Sequence, residues 1–168
     1  MSSRHDPADD VDQIVQAWRR ERPDLDASPL HVFSRVSRLS RLLDLDRTRA
    51  FSQHAVEGWE FDVLSALRRA GEPYQLSPGR LVQETLVTSG TMTNRIDRLA
   101  SKGWVERQPS PTDRRGVIVQ LTETGRATVD AAMADLLARE AELLGDVPDD
   151  ERAALTAALR RLLSPFET

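Results

Sequence analysis

The sequence predicts a mainly α fold carrying one small β-hairpin. Three observations predict it. Apolar residues recur at helical spacing through most of the 168 positions. Two short β-rich runs, Trp104–Gln108 and Val117–Leu121, face each other across a loop bent by two prolines and a glycine. The helical stretches begin and end at local signals: Ser-Pro at Ser28-Pro29 and Ser77-Pro78, glycine at Gly71 and Gly103.

The elements follow in order. Val11, Ile14, Val15 and Trp18 form the stripe of a first helix, Val11–Arg22, which Pro23 ends. Ser28-Pro29 opens a second, with Val32, Phe33, Val36, Leu39, Leu42 and Leu43, running less cleanly towards Phe51. Arg35, Arg38 and Arg41 step every three residues along one edge of it and read most simply as a solvated face. Trp59–Ala70 is a third helix with Phe61, Leu64 and Leu67 inward. A short fourth runs from Ser77-Pro78 to about Thr85, and a fifth from Val87-Thr88, with Met92, Ile96 and Leu99 inward and Gly103 after its end. In the second β run Val117, Val119 and Leu121 alternate with Ile118 and Gln120. Thr122 caps a long helix over about Glu123–Leu144; Gly145–Pro148 breaks it before a last helix, Asp149–Leu163. Three segments result: N-terminal helices over 1–58, a core over 59–121, and C-terminal helices over 122–168. Amphipathic helices at both ends, without enough intrachain surface to cover them, are expected to pair with a second copy of the chain.

Composition narrows the function. Hydrophobic content of 39% and charged content of 30% are ordinary for a globular protein. No apolar run approaches the length of a membrane span, and Met1–Asp12 has no apolar signal core, so a cytoplasmic location is expected. Absent cysteine excludes disulfides, thiol redox sensing and thiolate metal sites. His5, His31 and His54 are far apart, which argues against a metal site. No Gly-x-Ser-x-Gly, Gly-rich phosphate loop or His/Glu pair suggests an enzyme, and no cofactor is expected. The net charge of −4 does not suggest a nucleic-acid binder, but its distribution does. From Arg95 to Arg126 seven basic residues face four acidic ones, a local balance of +3, and phosphate contact needs only a local positive surface.

Ser77–Lys102 carries the strongest signal: two short helices joined by a tight link at Leu86–Thr88, the order of a helix-turn-helix. With Met92, Ile96 and Leu99 inward, the second helix presents Ser89, Thr91, Thr93, Asn94, Arg95 and Arg98 outward. Small residues at the helix start let its backbone approach phosphates; Arg can reach guanine and Asn adenine in the major groove. The same face is also what a capped surface helix would show, because Ser, Thr and Asn favour helix starts for local reasons. The hairpin tip, Asp113-Arg-Arg-Gly116, adds an independent signal, since an arginine on an extended tip can enter a narrow minor groove. Asp113 suits pairing with an arginine to fix the loop. Read as a plain solvated turn, the tip leaves its place directly after this helix unexplained. The candidate contacts with double-stranded DNA are therefore Ser77, Thr88, Ser89, Thr91, Thr93, Asn94, Arg95, Arg98, Asp113, Arg114 and Arg115, on a winged helix-turn-helix core.

The run Val87-Thr-Ser-Gly-Thr-Met-Thr-Asn-Arg-Ile-Asp-Arg-Leu99, then Lys102-Gly-Trp-Val-Glu-Arg107, Asp113-Arg-Arg115 and Leu121-Thr-Glu-Thr-Gly125, resembles the MarR family of transcriptional regulators from about Trp59 onward. The resemblance implies a homodimer held by its terminal helices, two winged domains on adjacent half-sites of a pseudo-palindrome, more often repressing than activating, and Arg114 or Arg115 in the minor groove. It also implies a small-molecule effector that releases DNA. The sequence further resembles the family's urate-responsive branch: an extra N-terminal helix bearing Trp18, the stretches Glu60-Phe-Asp-Val-Leu64 and Pro73-Tyr-Gln-Leu-Ser-Pro78, and charges at Asp62, Arg95 and Arg107 where that branch holds its ligand. Urate is a planar anion suited to an indole face and arginine forks; near Asp62 it would disturb an Asp62–Arg95 pair and so move the helix bearing Arg95. Phenolic or other aromatic ligands stand as alternatives. So do plainer roles: Trp18 in a core or dimer interface, Asp62 with Arg107 as a structural ion pair, Arg95 on phosphate. A winged domain that binds protein and has no effector is the remaining reading.

Overall fold

The computed structural model describes residues 8–110 and 116–167. They form two compact units, divided between Arg49 and Ala50.

In the first unit, α1 (Asp10–Glu21) starts at a capping box. Asp9 accepts from the amides of Val11 (2.8 Å) and Asp12 (3.1 Å), and Asp12 accepts from the amide of Asp9 (3.0 Å). Val11 and Val15 are buried with Ala27 and Leu30. The second helix, α2 (Leu30–Ser52), begins here. Of its edge arginines, Arg38 and Arg41 are exposed as expected, but two of the three also form ion pairs. Arg35 bonds Asp9 and Asp12 at 2.9 Å each, and Arg38 bonds Asp10 at 2.5 Å. The acidic first turn of α1 lies opposite them, a pairing across a loop that spacing within one helix does not reveal. The Arg35 guanidinium holds the Asp9 and Asp12 carboxyls below their ordinary range.

The second unit opens with the end of α2, where Ala50 and Phe51 are buried and Phe51 stacks on Phe61 at 4.2 Å between ring centroids. Then come α3 (Gly58–Arg69), β1 (Gln75–Leu76), α4 (Pro78–Thr85), α5 (Ser89–Ser101), β2 (Val105–Pro109), β3 (Val117–Leu121), α6 (Glu123–Leu143) and α7 (Asp149–Leu163), closed by a 3₁₀ turn at Ser164–Phe166. The expected hairpin is present, with Val105 opposite Leu121 and Arg107 opposite Val119. A third strand, β1, adds to the far side of β3, giving the antiparallel order β1-β3-β2. Two residues cannot show a period, so β1 carries no sequence signal of its own.

One core ties these elements together. Phe61, Leu64 and Leu67 of α3 pack with Leu81 of α4, with Met92, Ile96 and Leu99 of α5, and with Val105, Val119 and Leu121 of the sheet. Val129, Ala132 and Leu136 of α6 join the same core. The flank of α6 beside this stripe leaves Met133 and Leu137 exposed, and α7 buries no residue in this chain.

The Leu-Thr-x-x-Gly run at 121–125 has a clear mechanical role. Thr122 caps α6 by accepting from the Gly125 amide (3.0 Å) while its hydroxyl donates to the Gly103 carbonyl (2.8 Å). The Thr122 amide donates to the Trp104 carbonyl at 3.0 Å. A Cβ on Gly125 would lie 2.0 Å from that same oxygen, so only glycine lets α6 start here. The start of α6 is thereby fastened to the chain just after α5.

Candidate nucleic-acid interface

The helix-turn-helix is built from two capped helices and one strained link. Ser77 caps α4 through the Arg80 amide (3.3 Å), with Pro78 in the first turn. Leu86 then takes φ 51°, a left-handed conformation usually left to glycine or asparagine, and its side chain is 91% exposed. Thr88 caps α5 through the Thr91 amide (3.3 Å), and the two hydroxyls meet at 2.9 Å.

With Met92, Ile96 and Leu99 buried, Ser89, Thr91, Thr93, Asn94 and Arg98 are exposed and Arg95 is half-buried, so the expected face is the outer one. The Thr93 hydroxyl donates to the Ser89 carbonyl one turn back (3.1 Å). Asn94 makes no side-chain hydrogen bond among the described residues and presents both donors and acceptor outward. Gly90, Thr91, Asn94, Arg95 and Arg98 line, with Trp59 of α3, an open depression of about 450 Å³.

Sequence reasoning missed what lies beneath that face. Arg95 and Arg98 both stand over the Trp59 indole, 5.4 and 4.6 Å from its centroid. Arg98 also bonds Glu57 at 3.1 Å, and the Trp59 Nε1 donates to the other Glu57 oxygen at 2.5 Å. That indole N–H, more than the nearby Arg98 charge, holds the Glu57 carboxyl below its ordinary range. One turn on, Glu60 is fully buried, and it is contacted by Lys102, the sequence's single lysine. Lys102 Nζ donates to Glu60 Oε2 at 2.8 Å and lies 2.6 Å from Oε1, out of hydrogen-bond alignment with the latter. Glu60 Oε2 also accepts from the Glu57 amide (2.9 Å), closing a capping box on α3. The periodicity did hold a signal: Glu60, Leu64 and Leu67 share one stripe at i, i+4 and i+7, so a charge was due on the inward face.

The residues expected to hold a ligand are not joined as anticipated. Asp62 is exposed on α3 and makes no ion pair among the described residues. Arg95 is drawn instead to the Trp59 face, and Arg107 pairs with Asp97 of α5 at 2.8 Å. Neither an Asp62–Arg95 nor an Asp62–Arg107 pair forms. Trp18, on α1 in the first unit, is 49% exposed, as is its stripe neighbour Ile14 at 40%. The wing-tip residues Asp113, Arg114 and Arg115 lie outside the described residues. Among the described residues no cluster of His, Cys, Asp or Glu could hold a metal, and no helix is long and apolar enough to cross a membrane.

Comparison with known proteins bears on this geometry. The MarR family model matches residues 56–116, from the turn before α3 to the end of the wing loop. The chain is 39% identical over 153 residues to the HTH-type transcriptional regulator PecS of Dickeya dadantii, covering 91% of this chain and 92% of PecS. The chain belongs to the MarR family. It is also 34% identical to the transcriptional repressor NicR of Pseudomonas putida, over 85% of this chain and 91% of that protein. Among solved structures, mutant MarR of Escherichia coli complexed with operator DNA superposes with a TM-score of 0.61 at 31% identity, over 83% of this chain and 99% of that one. These MarR-family relatives are transcriptional regulators and not enzymes, and this chain is a regulator of the same kind.

Proposed function

We propose that this MarR-family protein is a homodimeric transcriptional repressor that reads a pseudo-palindromic operator with α5 and is released by a small planar anion. The observation that carries the DNA reading is the outer face of α5. Its inward stripe is wholly committed to the core, while Asn94 and the hydroxyls of Ser89 and Thr91 stand exposed beside two arginines. Asn and Arg forks along the exposed face of a helix are what base edges in a major groove recognise. Arg114 or Arg115 is assigned to the minor groove from the sequence, and Ser77 and Thr88 to the phosphate flank through their helix starts. The operator-bound relative supports the same reading.

Self-association is supported by uncovered apolar side chains. Leu155, Leu159 and Leu162 recur at i, i+4 and i+7 on α7, and Val32, Val36 and Leu39 do so on α2, all exposed in the single chain. For the effector, urate is the compound to try first. Its support is the half-buried guanidinium of Arg95, a fork suited to an anion, together with the sequence resemblance.

The test is selection of bound duplex from a random pool, repeated at several salt concentrations and with urate present. A palindromic consensus whose affinity falls steeply with salt supports the reading; salt-insensitive binding or no enrichment refutes it. Calorimetry showing no heat with urate would remove that effector and leave DNA recognition standing.

A further inference from the structure

The first turn of α3 holds every cation in the second half of α5. Trp59 lies under Arg95 and Arg98, Glu57 takes Arg98, and Glu60 takes Lys102. The innermost of these contacts is the least expected. Glu60 is a carboxylate with 0% exposure, in a core otherwise made of apolar side chains. Its partner, Lys102, is the C-cap of α5 and directly precedes Gly103, whose φ of 71° turns the chain into β2. The Lys102 ammonium also lies over the Trp104 ring, with Nζ 4.4 Å from the centroid. One contact therefore joins α3, the end of α5 and the start of the wing.

An ion pair with a fully buried carboxylate is a poor device for stability alone: Glu60 has no exposure, while the Lys102 side chain keeps 35% of its own. Well-packed apolar residues of similar volume are often as stable or more so, because the Glu60 charge must leave water entirely. What an ion pair adds is register. Apolar side chains tolerate several offsets between two helices, whereas a carboxylate enclosed in a core must be met by its cation at one separation. A helix that reads base edges needs its position along and about its axis fixed, since hydrogen bonds weaken steeply with misalignment.

We propose that Glu60, acting through Lys102, is a positioning residue that fixes α5 and the adjoining wing strand for DNA reading, without touching DNA itself. This rests on the reading of α5 as the DNA-facing helix. Complete burial keeps Glu60 from any duplex, so its effect on recognition passes through α5.

The experiment compares the native full-length chain with Glu60→Leu/Lys102→Met and with Glu60→Gln. Each is measured for melting temperature and for affinity to two probes: the duplex selected from a random pool, and a scrambled duplex of equal length. The double variant is expected to melt at or above the native temperature yet bind the selected duplex about ten-fold more weakly, the size of one lost base contact. Its affinity for scrambled duplex stays within about three-fold, and its salt dependence is unchanged, because no phosphate contact is removed. Native affinity for the selected duplex in a folded double variant overturns the proposal. Equal losses on both probes, with the salt slope reduced by about 0.9 per protomer, also overturn it, because Lys102 would then be a phosphate ligand. Glu60→Gln keeps the shape of the side chain and serves if the double variant does not fold; selective loss on the chosen duplex supports the proposal and native affinity refutes it. A native chain that enriches no duplex refutes the DNA reading itself, a result separate from either.

Discussion

The two halves of α5 are differently engaged. In the first, Ser89 to Asn94, side chains other than Met92 face outward, and only local caps and back-bonds occupy them. In the second, Arg95, Arg98 and Lys102 are each held by the first turn of α3, while Asp97 is taken by Arg107 of β2. A reading surface needs groups free to meet bases and a support that fixes where they stand. Under the DNA reading proposed above, one helix divides those tasks along its length, with the N-terminal half assigned to direct contact.

The division can be broken first at its anchor. Gly125→Ala should cost about 3 kcal/mol of stability, because the new methyl meets the Trp104 carbonyl, a backbone group that cannot swing aside. Thermal melts would show it; a native melting temperature would mean that α6 is not fastened to the end of α5. Asn94→Ala comes next. It should leave stability nearly unchanged and lose about 1–3 kcal/mol on the preferred duplex, with little change on random DNA. Equal losses on both would move Asn94 from base reading to phosphate contact. Thr93→Ala sharpens the contrast. Its hydroxyl already donates to Ser89, so only an acceptor role is open to it, and the loss on the preferred duplex should be about 1 kcal/mol or less.

The smallest effect is one of pH. The Glu57 carboxyl is held below its ordinary 4.5 chiefly by the Trp59 indole N–H. A depressed carboxyl contributes stability that is complete above the unfolded value and is lost as pH falls through the folded one. The Glu57–Arg98 contact should therefore persist down to about pH 4.5 and fail only below it, seen as a change in indole fluorescence. Trp59→Phe, which keeps a ring and drops the N–H, should move the carboxyl titration upward; an unmoved midpoint would assign the depression to Arg98.

Much of this arrangement is legible in the sequence, and the illegible parts share a cause. The α5 outer face was predictable because a cap at Thr88 and a stripe at Met92, Ile96 and Leu99 fix both the start and the rotation of the helix. The Leu121–Gly125 run identified the wing, and its glycine proves to be a packing requirement. By contrast β1, the Arg35 and Arg38 pairs and the Glu60–Lys102 contact all join residues distant in sequence. Spacing within one element does not encode such partners. The ion pairs expected among Asp62, Arg95 and Arg107 do not form for a related reason: Trp59 meets Arg95 and Asp97 pairs with Arg107, partners that charge alone does not single out.

The central claim, that the outward start of α5 reads base edges, is tested most directly by selecting duplexes with the native chain and with Asn94→Ala side by side. The account predicts a palindromic consensus for the native chain that loses information at one base position per half-site in the variant. An identical consensus from both proteins would contradict it.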